Sequence, residues 1–550
     1  MAVRGRRSEK LIVLWGCAWT DKMGQDRTWI RHRLAEGAKL VVIDPRRIRI
    51  TKNAHLWIRP RPNSDQALAF GLLKIIIEEG LYDKDFVAKW TVGFDKIAEE
   101  VNNFTLDDVE RVTWVPKEQI RQLARWFATL KPAVIRTGMG AFTQHYTGFQ
   151  GSRIIDIMRL ITGPLNIPGW GLKMTPLPTL SGGKLYLLDK FPRNVEANLA
   201  KQHRFAVRSA YIPDHSLING ILEDKIKAVL VTQSEPLISF PNARKTYDAF
   251  MKVDFLVSAN IFMTPTPSVS DIVLPVATTN ECDTINVFAG TSAPFALPKI
   301  VDPPGEARSD VMILNDLAKR LELGEYFFDS DVESINYYLA PADLTWEDLK
   351  KSRVMELQVE EIAEEGGFFT TPSGKGEIYS TRAVEPFHCA PLPLWKDVQP
   401  THDLSEEYPL FMTSFEDHDY HLSKFKEIKY FRKYKPYPTV QLNAETAQRI
   451  GAKEGDWIWI ESKLGRIMQK LVIDPEIDPR VVMTTFGWYF PEAPTNACQW
   501  NKANINILIP DGPAEPATGA VDMRGTPVRV YKAEPSEVDL PEYLEGIQAV

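Results

Sequence analysis

The sequence lacks the cysteine pattern of an iron–sulfur or disulfide-rich protein. It has 4 cysteines among 550 residues, at positions 17, 282, 389 and 498, so no two of them are close together. A four-thiolate cluster needs closely spaced ligands plus a fourth, and a disulfide scaffold needs a much higher cysteine density. We therefore expect neither a disulfide framework nor an iron–sulfur cluster built from this chain alone.

Long apolar runs and a strong charge of one sign are missing as well. No stretch approaches the roughly 18 unbroken apolar residues that a membrane helix needs, and the N-terminus has no apolar signal region. The net charge of −7 provides no basic excess for binding nucleic acid. We expect a cytoplasmic protein without a membrane span and without a nucleic-acid partner.

Alternating strand and helix patterns predict two α/β units. Apolar strands at 11–15 and 39–44 flank a helix at 26–36, which makes a parallel βαβ unit. Further helices are predicted at 65–79, 84–90, 117–129, 147–162, 243–251 and 308–322, and further strands at 133–136, 228–232, 254–258 and 271–275. The strands from 228 onward belong to the second α/β unit.

The pattern from 408 onward is mostly β. Short strands are predicted at 409–413, 439–442, 456–461, 465–473 and 481–485, with one helix at 444–450. Glycine and proline separate these strands, which is typical of a compact barrel. We expect the alternating Trp457 and Trp459 to fill its core.

A chain of 550 residues is too long for one core, and its pattern changes predict four segments. These are a dinucleotide-binding α/β domain at 1–215, a partial second α/β domain at 216–330, a small helical connecting region at 331–405 and the barrel at 406–550. Residues 168–215 lose regularity, and we interpret them either as an excursion that lines a funnel or as a plain linker.

Polar residues follow the predicted strands at their carboxyl ends, where open α/β sheets bind ligands. Gly16 and Cys17 follow the first strand, and Asp44, Pro45 and Arg46 follow the second. Asp44 can accept hydrogen bonds from ribose hydroxyls or guanine N–H groups, and Arg46 offers a charged fork for phosphate. The alternative is a strand-ending turn with a surface ion pair. Neither a G-x-G-x-x-G loop nor a Walker loop is present, which disfavours the common NAD and ATP sites.

Three later segments carry further polar candidates. Gly138-Met-Gly140 with Gln144-His145 follows a strand, as do 232–236 and 263–266. In the barrel, a metal pair of His418 and His421 is disfavoured because no third ligand of good type lies nearby. A hydrogen-bonding loop around a large polar cofactor fits better, and Trp488 can pack on a flat ring system.

Several motifs, in order, resemble the molybdopterin oxidoreductases of the dimethyl sulfoxide reductase type. The run at 504–519 after Gly-Trp-Tyr-Phe-Pro-Glu at 487–492 resembles their closing domain most strongly. The passage at 11–46 resembles the family's strand–Gly–helix–strand–Asp-Pro-Arg segment. Segments at 62–65, 136–171, 262–275 and 371–377 also resemble the family, and the resemblance extends from about 11 to 530.

The resemblance implies a fold and a cofactor. The fold is α/β, with two Rossmann-like α/β layers followed by a C-terminal double-psi-type β-barrel. The cofactor is bis(molybdopterin guanine dinucleotide) with molybdenum or tungsten, held by a guanosine end in each α/β domain and closed over by the barrel.

By match, one nucleotide would lie near Gly16, Cys17, Asp44, Pro45, Arg46 and Asp65. The other would lie near Ser234, Glu235, Thr264 and Asp271. Barrel contacts would come from Thr413, Ser414, His421, Ser423, Gly487, Trp488 and Asn504.

The chain also departs from the family pattern. Ala18 and Trp19 replace an Asn-Pro pair, and Gln233 and Glu235 replace the Gly and Asn of a later loop. The cluster region and the metal-ligating residue would precede Leu11, so a 4Fe–4S cluster is expected only in that missing region or in a partner. We therefore assign no metal ligand and no catalytic residue to this chain.

Two interpretations follow from the resemblance. In the first, the chain is the larger, C-terminal part of a redox enzyme for a small-molecule substrate. An N-terminal iron–sulfur portion or separate subunit would complete it, with a possible electron-transfer subunit. In the second, it is a non-catalytic scaffold without bound metal. An unrelated nucleotide-binding enzyme is disfavoured because the late barrel motifs would have no role in it.

Overall fold

A computed structural model describes most of the chain. The described residues are 9–18, 24–163, 172–174, 212–286, 294–351, 359–361, 369, 371–382, 384 and 389–541. The irregular region predicted at 168–215 lies largely outside the described residues, so its two interpretations stay predictions. Within the described parts, none of the helices is both long enough and apolar enough to cross a membrane.

The regular elements alternate between strands and helices in the first two thirds of the chain and are mainly strands thereafter. The strands are β1 Leu11–Trp15, β2 Lys39–Ile43, β3 Leu56–Ile58, β4 Thr91–Val92, β5 Ala133–Thr137, β6 Leu172–Met174, β7 Ala228–Thr232, β8 Phe255–Asn260, β9 Ile272–Pro275, β10 Thr284–Asn286, β11 Phe295–Leu297, β12 Val359–Glu361, β13 Gly376–Glu377, β14 Leu410–Phe415, β15 Thr439–Leu442, β16 Trp457–Ser462, β17 Gly465–Ile473, β18 Val481–Thr485 and β19 Thr526–Lys532. The α-helices are α1 Gly24–Ala35, α2 Asp65–Glu78, α3 Lys84–Trp90, α4 Phe94–Glu100, α5 Leu106–Thr113, α6 Lys117–Thr129, α7 Met139–Phe142, α8 Gly148–Ile161, α9 Asp214–Leu222, α10 Pro236–Ser239, α11 Ala243–Lys252, α12 Pro265–Ser268, α13 Asp310–Arg320, α14 Asp331–Leu339, α15 Trp346–Lys351, α16 Lys429–Tyr434 and α17 Ala444–Arg449. Short 3₁₀ helices lie at Arg49–Asn53, Val101–Asn103, Gly324–Tyr326, Ala340–Ala342, Trp395–Val398, Pro494–Gln499, Ile505–Ile507 and Pro535–Glu537.

The first α/β unit is a parallel four-stranded sheet in the order β3-β2-β1-β5. Its central strand β1 is buried throughout because every residue is apolar. Leu11, Val13 and Trp15 join one hydrophobic cluster, and Ile12 and Leu14 join another. Successive side chains of a strand point to opposite faces, so both faces of this sheet are covered.

The second α/β unit is a smaller parallel sheet in the order β7-β8-β9. Helices α9 and α11 pack on it through Ile221 and Phe250, which meet Val231 and Leu256 in one buried cluster. The two α/β units thus form separate parallel sheets, as the alternating pattern predicts.

The C-terminal region closes into a six-stranded barrel. The strand order is β14-β18-β15-β17-β16-β19, with β14 parallel to β18 and β15 parallel to β17. Strand β19, which the sequence pattern does not predict, closes the barrel by antiparallel pairing with β14 and β16. A mixed α/β chain with a C-terminal barrel is therefore confirmed.

The expected position of two tryptophans is wrong. Ile458 and Ile460 occupy the buried face of β16, whereas Trp457 and Trp459 lie on its half-buried outer face. The Trp459 indole N–H donates to Glu537 at 3.1 Å, and Arg466 lies 4.1 Å from the ring centroid. The smaller β-branched side chains fill the barrel because its interior is narrow.

Gly138 permits the close approach of β1 and β5 at their carboxyl ends. A Cβ at Gly138 would lie 1.8 Å from the carbonyl oxygen of Gly16, a backbone atom that cannot rotate away. A Cβ at Gly140 would instead meet the flexible side chain of Arg524 at 3.4 Å. An added methyl group would therefore meet rigid backbone at Gly138 and a movable side chain at Gly140.

We predict that Gly138→Ala destabilises the first α/β unit by about 3 kcal/mol, because the added methyl must displace backbone. Calorimetric melting of the full chain measures the effect. Gly140→Ala is the matched control and is expected to change stability by less than about 1 kcal/mol, since only a side chain must adjust. Equal melting temperatures for the two variants would contradict the packing argument.

Candidate functional site

The loop after β1 is fixed by hydrogen bonds to both neighbouring strands. Gly16 has φ +63 and donates its N–H to the Ile43 carbonyl at 2.9 Å, while Gly138 donates to the Trp15 carbonyl at 2.7 Å. The buried Cys17 thiol donates to the Arg136 carbonyl at 3.1 Å. Cys17 therefore lies in the loop after β1 as a buried thiol.

The Asp44-Pro45-Arg46 turn follows β2 at the same sheet edge. The Asp44 carboxylate accepts the backbone N–H of Arg46 at 2.9 Å, so this carboxylate serves the turn. The Arg46 guanidinium lies 4.7 Å from the ring centroid of Phe415 at the end of β14. Among the described residues no carboxylate forms an ion pair with Arg46, whereas its neighbour Arg47 pairs with Glu476. The turn thus presents an arginine whose charge is available to a ligand.

Asp65 lies at the start of α2 and connects this edge to the interior. Its carboxylate accepts the Trp15 indole N–H at 2.6 Å. Loss of water contact raises the pKa of Asp65 to about 6, against the opposing influence of His145 and Arg524. The buried His145 ring contacts two distant parts of the chain. Its Nε2 lies 2.6 Å from the Gly140 carbonyl oxygen, and its Nδ1 lies 3.6 Å from the Asp522 carboxylate.

The corresponding loops of the second α/β unit follow β7 and β8. Ser234 is exposed immediately after β7, and Glu235 is buried behind it. The Glu235 carboxyl accepts the Thr266 N–H at 2.7 Å and also contacts the hydroxyls of Thr266 and Thr264. Burial raises the pKa of Glu235 to about 7, although these hydrogen bonds oppose the shift. Glu235 and Thr264 are therefore brought together, as the motif matches suggest.

Asp271 lies away from these residues. It precedes β9, and its carboxylate accepts the backbone N–H of Leu256 at 2.8 Å near the start of β8. Both positions are at the amino ends of parallel strands, opposite the edge that carries Ser234. Ser234, Glu235 and Thr264, which are predicted for the same nucleotide, lie at the other edge of the sheet. The cofactor contact of Asp271 stays a prediction.

The barrel places Ser423 and Gly487 against each other. Gly487 has φ +72, and a Cβ there would lie 3.1 Å from the Ser423 Cα. Trp488 is fully buried and meets Tyr420 edge-on with ring centroids 5.4 Å apart. It therefore packs inside protein.

The two barrel histidines lie near acidic neighbours. His421 is exposed, 3.3 Å from Glu416, and His418 lies 3.4 Å from Asp419. Across the described ranges, no group of three or more His, Cys, Asp and Glu side chains is arranged to hold a metal ion.

The run from Asn504 to Gly525 connects the loops of both α/β units. The Asn504 amide donates to the Leu237 carbonyl at 3.0 Å, and the Asn506 amide donates to the Ile238 carbonyl at 2.6 Å. Further along, Asp522 accepts the Tyr146 N–H at 2.9 Å. The same segment therefore reaches helix α10, which follows β7, and the turn between α7 and α8, which follows β5. The sequence matches include this segment but do not single out Asn506, Asp522 or Arg524.

Several buried polar atoms next to these loops have no hydrogen-bond partner within the described residues. They are Asn63 Oδ1, Gln66 Oε1, Thr147 Oγ1, Ser414 Oγ, Trp488 Nε1 and Asn506 Oδ1. The carbonyl of Thr413 is satisfied by the Thr484 hydroxyl at 3.0 Å. Buried polar atoms are normally paired, so this mixture of donors and acceptors fits a large polar ligand.

Burial of Glu235 predicts a pH-dependent stability. The protonated carboxyl is favoured in the folded protein, so stability falls as pH rises from the usual value of 4.5 to about 7. We predict that Glu235→Gln removes this loss and gains up to about 3 kcal/mol relative to wild type at pH 8. Denaturant unfolding at pH 5 and pH 8 measures it, with exposed Glu99→Gln as the control. A pH-independent difference between variant and wild type would contradict the buried-carboxyl explanation.

Comparison with known proteins places the chain in one family. Residues 6–320 match the family described as Molybdopterin oxidoreductase, and residues 410–527 match the Molydopterin dinucleotide binding domain. Acetylene hydratase from Syntrophotalea acetylenica is 29% identical over 84% of this chain and 68% of its own length. Formate dehydrogenase H from Escherichia coli is 25% identical over 82% of this chain and 65% of its own length.

A third curated relative agrees with this assignment, and a solved structure agrees in fold. Trimethylamine-N-oxide reductase from Haemophilus influenzae is 26% identical over 90% of this chain and 69% of its own length. The solved structure of acetylene hydratase from Pelobacter acetylenicus matches with a TM-score of 0.83 and 24% identity, covering 96% of this chain and 78% of that one. The chain thus spans about two thirds of the length of these curated relatives. With the first match covering more than half of its residues, the chain belongs to the molybdopterin oxidoreductase family.

Proposed function

We propose that this chain is the C-terminal, cofactor-binding portion of the catalytic subunit of a molybdenum or tungsten oxidoreductase. Its cofactor would be bis(molybdopterin guanine dinucleotide), and its substrate a small molecule. The observation that carries the proposal is the segment from Asn504 to Gly525. It contacts the short helix α10, which follows β7 in the second α/β unit, and Tyr146 between α7 and α8 in the first. A cofactor with two nucleotide ends needs loops from both units next to one barrel.

The residues of the first loop fit the nucleotide of an anionic cofactor. Gly16 and Cys17 place backbone at the carboxyl edge of the first sheet, where the ligand would bind. The Asp44 carboxylate holds the turn that presents Arg46. A guanidinium without an ion pair among the described residues is suited to phosphate, since charge-assisted hydrogen bonds are strong. We propose that Pro45 also supports this turn, because the proline ring fixes its backbone φ angle.

The second loop would receive the other nucleotide. Ser234 is exposed at the sheet edge, and Thr264 lies behind it in contact with Glu235. Because burial raises the pKa of Glu235 to about 7, this side chain holds a proton for part of the time near neutral pH. A carboxyl that is partly neutral adds less repulsion next to an anionic ligand than an ionised one.

The barrel residues would close over the pterin part of the cofactor. The buried Ser414 hydroxyl and Trp488 indole N–H offer a hydrogen-bond donor each, and Gly487 permits close backbone approach. When bound, such a cofactor supplies a metal centre for oxygen, sulfur, hydride or electron transfer. Side chains of this chain would bind and orient the cofactor, and the metal-ligating residue and 4Fe–4S cluster would come from an N-terminal portion or partner, with electrons passing to a further subunit.

The second candidate is a non-catalytic scaffold of the same fold without bound metal. One observation favours it. Glu235 stands where the family loop has Asn, and its carboxyl already accepts hydrogen bonds from the Thr264 and Thr266 hydroxyls. For both candidates we propose the four segments predicted from the sequence. They are 1–215, 216–330, 331–405 and 406–550, and the last is the cofactor-binding barrel.

Cofactor analysis distinguishes the two candidates. We predict that the chain, co-expressed anaerobically with the polypeptide encoded immediately upstream, releases an oxidised pterin with its characteristic fluorescence on denaturation and contains molybdenum or tungsten by elemental analysis. The same preparation from a host unable to make molybdopterin is the control. Protein that carries neither pterin nor metal after co-expression would favour the scaffold and contradict the enzyme.

Arg46 provides a sharper test of the first loop. We predict that Arg46→Ala lowers retained guanine nucleotide by about 10- to 100-fold after gel filtration, because a charge-assisted contact to phosphate is lost. Chromatography of nucleotide released by denaturation measures it. Arg47→Ala, one residue further along and paired with Glu476, is the matched control and is expected to retain the nucleotide. Equal retention by both variants would remove Arg46 from the site.

A further inference from the structure

The segment from 424 to 435 carries an excess of positive charge, although the net charge of the whole chain is −7. It contains six basic residues and one acidic residue, namely Lys424, Lys426, Lys429, Arg432, Lys433 and Lys435 against Glu427. The Glu427 carboxylate accepts the hydroxyl of the buried Tyr489 at 2.7 Å, so it is turned toward the protein interior. The one acid of this segment therefore adds little negative charge to its outer surface.

Helix α16 lies within this segment and is held on the barrel domain by its buried side. Arg432 is buried, and its Nε donates to the Glu492 carboxylate at 3.0 Å. The Phe431 ring meets the Tyr420 ring with centroids 6.2 Å apart. The Tyr420 hydroxyl donates to the carbonyl of Lys435, which follows the helix, at 2.8 Å. These contacts fix the orientation of α16, so a partner would not have to order the helix on binding.

The outer side of α16 presents two aromatic and two charged side chains. Tyr430 is 66% exposed and Tyr434 is 63% exposed, and their ring centroids lie 5.2 Å apart. Lys429 and Lys433 are exposed as well, and they are also four residues apart, so the charged pair runs beside the aromatic pair. Neither tyrosine joins a hydrophobic cluster among the described residues. We call these four residues the lysine–tyrosine face.

The composition of the lysine–tyrosine face indicates the class of its partner. Tyrosine is frequent among the residues that dominate interface energies, because its ring buries apolar area while its hydroxyl stays polar. Lysines beside such rings attract negative charge and reject a positively charged partner. A nucleic acid would need a longer basic track along its phosphates, and the net charge of −7 disfavours one. The face therefore fits a polypeptide segment that combines carboxylates with an apolar side chain.

We propose that the lysine–tyrosine face is the docking surface for an acidic segment of a partner protein. Carboxylates of that segment pair with Lys429 and Lys433, and an apolar side chain of the segment packs on the rings of Tyr430 and Tyr434. Within the described part of the chain, Lys429 forms no ion pair, so its charge is available to the partner. This inference goes beyond the proposed function, because docking at α16 requires neither the cofactor nor an N-terminal portion.

The test uses the full chain and, as the probe, a short fluorescein-labelled peptide with the repeat Glu-Glu-Leu. Fluorescence anisotropy gives the affinity, and the wild type is expected to bind the probe. Lys429→Glu/Lys433→Glu is expected to bind it at least about 10-fold more weakly, because two attractive charges become repulsive. Lys84→Glu/Lys89→Glu makes the same charge change at two exposed lysines of α3, another short helix. This matched control is expected to bind the probe as the wild type does.

A second variant separates the aromatic contribution from the charge. Tyr430→Ala/Tyr434→Ala is expected to bind the probe about 10-fold more weakly, because the apolar contact is lost. Its affinity is expected to fall with rising salt concentration as steeply as that of the wild type, since both lysines remain. The lysine variant is expected to lose this salt dependence. All four substituted side chains are exposed, so the melting temperatures of both variants are expected to equal that of the wild type.

Each other outcome overturns the proposal. Absence of binding, or equal binding by the wild type and both variants, would exclude the face. Displacement of the probe by a tighter-binding single-stranded oligonucleotide would make a nucleic acid the partner. Binding that requires deletion of residues 542–550, which include Glu542 and Glu545, would make the chain's own C-terminal segment the occupant. A wild-type dimer that the lysine variant dissociates would make a second copy the occupant. Loss of binding on assembly with the polypeptide encoded immediately upstream would place the face inside that assembly. Failure of the proposed function is separate, because it shows as absence of pterin and leaves these affinities unchanged.

Discussion

The arrangement of the described residues depends on one segment that must satisfy two α/β units at the same time. Between Asn504 and Gly525, side-chain amides and a carboxylate bind backbone groups of Leu237, Ile238 and Tyr146. The Leu237 and Ile238 contacts are buried and the Tyr146 contact is partly buried, so each lost hydrogen bond would leave an unpaired polar atom in a poorly solvated place. The segment therefore links the barrel to both α/β units through polar contacts that are shielded from water.

The sequence predicted regular elements well where one local pattern decides the structure. The strands β1 and β7 and the helices α2 and α6 follow from apolar runs and helical spacing. Strand β19 was missed because its Thr-Pro-Val-Arg start has few of the usual signals, and only its pairing with β14 and β16 defines it. The tryptophans of β16 were assigned to the wrong face because a period of two identifies two faces without saying which is buried.

The sequence motifs predict which segments form the candidate site. They do not predict which side chains in those segments contact each other. The motif matches led to Glu235 and Thr264, yet their mutual contact with Thr266 joins residues about thirty positions apart and needs the fold. The motif match groups Asp271 with them, although Asp271 precedes its strand and thus lies at the opposite sheet edge. Asp522 and Arg524 gave no separate signal because their significance comes from His145 and Asp65, hundreds of residues earlier.

Arg46 lies over Phe415, so its position depends on both the first α/β unit and the barrel. The guanidinium carbon is 4.7 Å from the ring centroid, within the range of cation–π attraction. Under the proposed function, a phosphate would therefore meet an arginine that is already held against the barrel. A lysine in its place would keep the charge but lose the planar fork that can contact two phosphate oxygens.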